Sequence, residues 1–226
     1  MPEREAALRQ ELVRAARYLS DRDLTWGSSG NLSARIDDGH ILLSGTGTWM
    51  RYMESHEFAV VRLGDGSAVD AIRPSKEFPM HAAIYRNASE ARFAIHSAPP
   101  YTTWFACTHR RPESGLFIES MHYLDRIAEV DYALPGSAAL GEGVAAVAAD
   151  YPVMILRNHG VIVYDATVRD ALMRIESLEL ACRLAFLSES SGSPLHLLPP
   201  EKIRAFHESR AYKPQEDKAY GAQEGG

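Results

Sequence analysis

Short apolar runs and amphipathic helices follow one another along this chain without strict alternation, and that order limits the fold more than any single motif. VMILRNHGVIVYD, residues 153–165, reads as two strands joined through Asn158-His159-Gly160. Further strands are expected from near Leu32, at Ile41 to Leu43, over residues 58–63 and in RFAIHS, where Phe93-Ala94-Ile95 delivers His96. Helices are expected over residues 3–20, near Pro79 to Arg86 and from Ser137 onward. The longest periodic segment carries Val168, Ala171, Leu172, Ile175, Leu178, Leu180, Ala181 and Leu184 as its apolar stripe and stops at Gly192. YTTWFACT fits a helix or an extended segment, and Ser75 is placed to cap just ahead of the helix at Pro79. This mixture favours one three-layer α/β domain over a parallel Rossmann sheet. A single domain is expected over residues 1–200, followed by a polar tail over 201–226.

The charge balance narrows the partners. Twenty-four Lys and Arg against 30 Asp and Glu leave a net charge of −6, with no basic block or stripe, which argues against nucleic acid. No apolar run reaches the roughly 20 residues that a membrane helix needs, and MPEREAALRQ lacks the apolar core of a secretory signal. Cys107 and Cys182 lie far apart and form no CxxC pair, so a reducing, cytoplasmic setting is expected.

Four loops gather Gly, Ser and Thr beside polar or ionisable residues: Ser28-Ser29-Gly30-Asn31, Ser44-Gly45-Thr46-Gly47, Ser75-Lys76-Glu77 and Asn158-His159-Gly160. Backbone N–H groups freed in such loops can cradle an anion, with hydroxyls and a lysine adding donors. Each taken alone is also an ordinary tight turn. His96 and His159 sit at strand ends, where a neutral imidazole suits a metal, and Glu77 could add a carboxylate. Taken singly, each histidine reads more readily as structural than as a ligand. His81 falls one helical turn after Glu77 and either reaches the same site or packs within its helix.

The order GSSGNLS, SGTG, PSKE followed by a histidine, strand-HSA, NHG and the long helix ALMRIESLELACR resembles the class II aldolase/adducin family over roughly residues 5–200. That family includes sugar-phosphate aldolases, an epimerase, a dehydratase and decarboxylases. The resemblance implies an α/β/α sandwich around a largely antiparallel sheet, and a homotetramer with active sites between subunits. It implies that Ser29, Gly30, Asn31, Thr46, Gly47, Ser75 and Lys76 hold a substrate phosphate. Lys76 stands where fuculose-phosphate aldolases have a serine, a form closer to decarboxylase-type members. It further implies a divalent metal, zinc first and Mn, Co or Fe as alternatives, on Glu77, His96 and His159.

One departure matters. The second histidine of the family's H-x-H pair corresponds here to Ala98, which offers no ligand atom. Glu77 is then needed on the metal and is less free as a base, and Glu119 and Tyr123 in FIESMHYLDRI, with His122 between them, are the candidates to take over acid/base work. The function implied is a metal-dependent carbon–carbon lyase, aldolase or decarboxylase, acting on a small hydroxy-carbonyl or sugar-phosphate-like substrate through a metal-stabilised enediolate. The alternative is a non-catalytic, adducin-like assembly module that has lost its metal. In a tetramer, His207 and Tyr212 of the tail could reach a neighbouring site.

Overall fold

A computed structural model of the protein describes residues 2–108 and 110–209. Helix α1 (Pro2–Asp21) leads into strands β1 (Asn31–Arg35), β2 (His40–Ser44) and β3 (Phe58–Arg62). Helix α2 (Phe78–Asn87), strand β4 (Phe93–Ser97) and the short helices α3 (Pro100–Ala106) and α4 (Ile118–Tyr123) follow. Then come β5 (Ile127–Val130), α5 (Ala138–Ala145), β6 (Val153–Leu156), β7 (Gly160–Asp165), α6 (Val168–Ser191) and α7 (Pro200–Ser209).

The strands form one seven-stranded sheet in the order β3-β2-β1-β4-β7-β6-β5. Every neighbouring pair is antiparallel except β5 with β6. Alternate residues of each strand feed two separate cores. Leu32, Ala34, Leu42 and Ile95 face the layer of α1, α3 and α6. Ile41, Leu43, Ala94 and Ile162 face the layer of α2 and α5. The result is the expected three-layer sandwich with a largely antiparallel sheet.

Local signals place most elements. Thr167 caps α6 by accepting from the Asp170 amide at 3.0 Å, and Gly192 ends it in the left-handed conformation at φ 69°. Ser137 caps α5 in the same way at 3.2 Å. YTTWFACT resolves as helix, since Pro100 suits its first turn. Ser75 is not the cap of α2: Glu77 holds that position, and the Ser75 hydroxyl accepts from the Glu77 amide at 3.3 Å one step earlier.

Three elements were not anticipated. α4 and β5 come from FIESMHYLDRIAEV, too short for either period to register, and α7 lies in the stretch expected to be a polar tail. Leu180 is also misplaced in the apolar stripe, because it is 45% exposed while Leu178 and Ala181 are buried. Tyr212 lies outside the described residues.

Candidate active site

The sheet register brings four distant loops to one end of the molecule. Asn31 at the start of β1 pairs with His96 near the end of β4, and Ser97 pairs with Val161 just after the Asn158-His159-Gly160 turn. Ser44 ends β2 alongside the start of β1, its hydroxyl accepting from the Leu32 amide at 2.9 Å. The Ser75 amide donates to the Ser44 carbonyl at 2.8 Å, and the Thr46 amide donates to the Arg73 carbonyl at 2.9 Å. Those two bonds tie the second loop to the third. Ser29, Gly30, Asn31, Thr46, Gly47, Ser75 and Lys76 therefore gather at the same sheet end as the histidines, with Thr46, Gly47 and Lys76 exposed and Ser75 and Asn31 buried.

Close packing at this end depends on glycine. Gly30 has φ 84° and lies so near β4 that a Cβ there would sit 2.5 Å from the His96 carbonyl oxygen. At Gly160, φ 152°, a Cβ would sit 2.5 Å from the Ser97 carbonyl oxygen and 3.4 Å from the Ala98 Cβ. The turn carrying His159 therefore lies directly on the segment that follows His96.

Glu77, His96 and His159 converge, each offering one ligand atom, with those atoms within 4.8 Å of one another. His159 Nε2 lies 3.1 Å from Glu77 Oε1, and His96 Nε2 lies 3.5 Å from Glu77 Oε2. Two ligand bonds of about 2.0–2.2 Å at a tetrahedral angle separate their donor atoms by roughly 3.3–3.5 Å, so the spacing fits one small cation. His96 donates from Nδ1 to the Val161 carbonyl at 2.9 Å, which leaves its Nε2 lone pair facing Glu77. His159 turns Nε2 towards Glu77, and its buried Nδ1 has no hydrogen-bond partner among the described residues, so no second contact fixes which ring nitrogen carries the proton. The donor set and its orientation fit a divalent metal.

Burial pushes the His96 imidazole towards its neutral form, the form that ligates. Burial alone would raise the Glu77 carboxyl. The hydrogen bonds from His159 and Asn31, and the attraction of His96 whenever it is protonated, outweigh it and bring the group to about 2. Glu77 is thus a carboxylate throughout the physiological range. Ala98, buried against Gly160, offers no ligand atom, so the cluster has three candidate donors among the described residues.

Glu119 and Tyr123 do not join this cluster within one chain. The Tyr123 hydroxyl donates to Asp170 at 3.0 Å, and Arg174 bridges the Tyr123 carbonyl at 2.6 Å to Asp165 at 2.7 Å. Asp165 pairs with Phe93, at the far end of β4 from His96. Within one chain Tyr123 is therefore buried beside α6, away from the cluster, and Glu119 lies one turn before it on α4.

Sequence reasoning left His81 open between the site and the helix interior. It belongs to neither alone: it is fully buried and bonded to Asn31, itself bonded to Glu77. Arg157 was missed. It donates to the Phe105 carbonyl at 3.0 Å, to the Thr108 carbonyl and to Glu129, and the adjacent Asn158 amide donates to Ala106 at 3.0 Å. These contacts anchor the turn that presents His159 to the end of α3. Asn158 holds φ 55°, a conformation asparagine tolerates better than most residues.

The comparisons agree with this geometry. A 3-oxo-tetronate 4-phosphate decarboxylase of Pectobacterium atrosepticum is 31% identical over 187 residues, covering 81% of this chain and 85% of that protein. An L-fuculose phosphate aldolase of Methanocaldococcus jannaschii is 31% identical over 180 residues, covering 80% and 96%. The crystal structure of YgbL, a putative aldolase/epimerase/decarboxylase from Escherichia coli, superposes with a TM-score of 0.80 at 27% identity, over 89% of this chain and 98% of that one. Residues 10–186 match the family described as the Class II Aldolase and Adducin N-terminal domain. No helix among the described residues is long and apolar enough to cross a membrane. With relatives that share its length and fold, and with the Glu77-His96-His159 cluster at the loop end of its sheet, this chain belongs to the class II aldolase/adducin family.

Proposed function

We propose that the protein is a metal-dependent carbon–carbon lyase that decarboxylates a small phosphorylated 3-oxo acid. The observation that carries this reading is the convergence of Glu77, His96 and His159 beside the Gly/Ser/Thr loops. Two imidazoles and a carboxylate suit zinc, with Mn, Co and Fe as alternatives. A bound divalent cation would supply Lewis acidity towards a substrate carbonyl oxygen. The non-catalytic alternative finds no support among the relatives, which are a decarboxylase and an aldolase.

The state of Glu77 favours decarboxylation over aldol cleavage. Retro-aldol cleavage begins with a base removing a hydroxyl proton. A 3-oxo acid needs none: the bond to the carboxylate breaks, its electron pair passes into the 3-oxo carbonyl system, carbon dioxide leaves and the carbon later takes up a proton. Glu77 has Oε2 occupied by Asn31 and Oε1 against His159, so it is poorly placed as a free base. The anion end of the substrate would meet the freed N–H groups of the Gly30 and Gly47 loops, with Ser75 and exposed Lys76 as further donors.

The assembly belongs to the same reading. Trp26 and Tyr52, both 68% exposed, and Trp49, 53% exposed, flank the first two loops, and covering them is consistent with sites formed between subunits of a homotetramer. Light scattering would then find a particle of four 25.0 kDa chains.

The test is carbon dioxide release from 3-oxo-tetronate 4-phosphate, run beside cleavage of L-fuculose 1-phosphate. Protein purified without chelator should carry near-stoichiometric metal, and His96→Ala and His159→Ala should lose both the metal and the activity. Cleavage of the fuculose phosphate without decarboxylation would support the aldolase reading instead. Protein with no bound metal, and no thermal stabilisation by added Zn, Mn or Co, would overturn the reading altogether.

A further inference from the structure

Behind Glu77 runs a buried polar ladder that the chemistry above does not use. Glu77 at the cap of α2 and His81 and Tyr85 within it recur every four residues, and Asn31, Ser33 and Arg35 recur every two along the face of β1 that meets them. The two rows interlock rung by rung. Asn31 Nδ2 donates to Glu77 Oε2 at 2.7 Å, and Asn31 Oδ1 meets His81 Nε2. His81 Nδ1 lies 2.7 Å from Ser33 Oγ, which lies 2.9 Å from the Tyr85 hydroxyl. Arg35 closes the ladder, its guanidinium 5.0 Å over the Tyr85 ring and its Nε donating to the Ala91 carbonyl at 3.1 Å. All six side chains are buried.

The directions of these bonds follow from one fact. A carboxylate only accepts, so the Asn31 amide nitrogen must face Glu77 and its oxygen must face His81. That oxygen only accepts, so His81 carries its proton on Nε2. Burial keeps the ring neutral, with a pKa of about 3, so Nδ1 must accept, and Ser33 is the donor. Tyr85 then donates to Ser33. No bond in the chain can reverse unless its neighbours reverse too.

We propose that Asn31 and His81 are positioning residues for the metal ligand Glu77: the ladder holds Oε2, turns Oε1 towards His159, and commits the Asn31 side chain to Glu77 in place of a substrate anion. This rests on the reading of Glu77, His96 and His159 as a metal centre. The outer partners of ligands typically change metal affinity 10–100-fold when removed. Ser33 acts one step further out and should matter less.

The experiment titrates full-length protein with Zn²⁺ or Mn²⁺ against a competing chelator, and separately with inorganic phosphate. Asn31→Leu and His81→Leu should weaken metal binding about 10–100-fold and leave phosphate affinity within about 3-fold. His81→Gln, whose amide can still donate to Asn31, should recover most of the metal affinity. Folded Asn31→Leu and His81→Leu proteins with wild-type metal affinity would overturn the proposal, as would a selective loss of phosphate binding in Asn31→Leu. Should either leucine variant fail to fold, Ser33→Ala carries the test, with a loss of about 3–10-fold expected and none overturning it. One readout needs no metal: the side-chain nitrogen spectrum should show His81 neutral and protonated on Nε2 at pH 6, with that preference lost in Asn31→Leu. An Nδ1-protonated or charged His81 refutes the ladder even if metal binds, whereas wild-type protein that binds no metal but shows this tautomer sinks the metal reading and keeps the ladder.

Discussion

Gly30→Ala tests whether the first loop must lie directly on β4 for the site to form. Two costs add at this position. A residue with a Cβ at φ 84° pays roughly 1–2 kcal/mol for the left-handed conformation. The new methyl would also meet the His96 carbonyl oxygen at 2.5 Å, Met50 Cε at 2.8 Å and Ser97 Cα at 3.2 Å. Met50 can swing aside. The β4 backbone cannot, because His96 is paired with Asn31 on one side and Ile162 on the other. Overpacking against such a wall costs about 1–3 kcal/mol, for a total of roughly 2–5 kcal/mol. Gly47→Ala is the internal control: its φ is 78°, yet a Cβ there meets nothing within 4 Å, so only the conformational cost of about 1–2 kcal/mol applies. Urea denaturation of both variants at one protein concentration reads the difference directly. Gly30→Ala should also weaken metal binding, since the displaced carbonyl belongs to His96. Equal destabilisation by the two substitutions, within about 0.5 kcal/mol, would refute the argument that a backbone wall constrains Gly30.

His81 stays neutral to about pH 3 in the fold against 6.5 ordinarily, so its contribution is complete above 6.5 and falls away as pH drops towards 3. Between pH 7 and 5 this costs about 2 kcal/mol, and His81→Gln should show a pH slope shallower by that amount in urea melts. Glu179 accepts from the Tyr101 amide at 2.9 Å, the Thr102 amide at 2.7 Å and the Thr102 hydroxyl at 2.8 Å, so Glu179→Ala should destabilise by about 2–3 kcal/mol while Glu179→Gln, keeping an acceptor, costs less. Arg157→Ala frees the His159 turn from α3 and leaves Glu129 without that partner; about 2–4 kcal/mol of stability should go, with weaker metal binding, and Arg157→Lys should restore little of either because it lacks the planar fork.

Each element that was legible in the chain had a strong local cause. α1 and α6 are long enough for a 3.6-residue period to stand out, and Gly192 marks the end of α6 because only a residue free of a Cβ takes φ 69° cheaply. Glu77, His96 and His159 were legible as ligand types at loop and strand ends, and the motif order tied them together. α4 and β5 were not legible, because six and four residues cannot display a period. Where Tyr123 lies was not legible either: the antiparallel pairing of β4 with β7 carries its partner Asp170 to the opposite end of the sheet from His96 within one chain.

By itself the sequence determined the mixed three-layer class, the loops rich in small and polar residues, and the candidate ligand types Glu77, His96 and His159, since these depend on residue type and local spacing. Tertiary structure alone decided which atoms meet. Strand register placed Asn31 opposite His96, and the match of a two-residue repeat on β1 to a four-residue repeat on α2 placed Asn31 between Glu77 and His81. Register is a relation between segments far apart in the chain, such as Asn31 and His96, set by how their buried faces pack, and neither segment carries it alone.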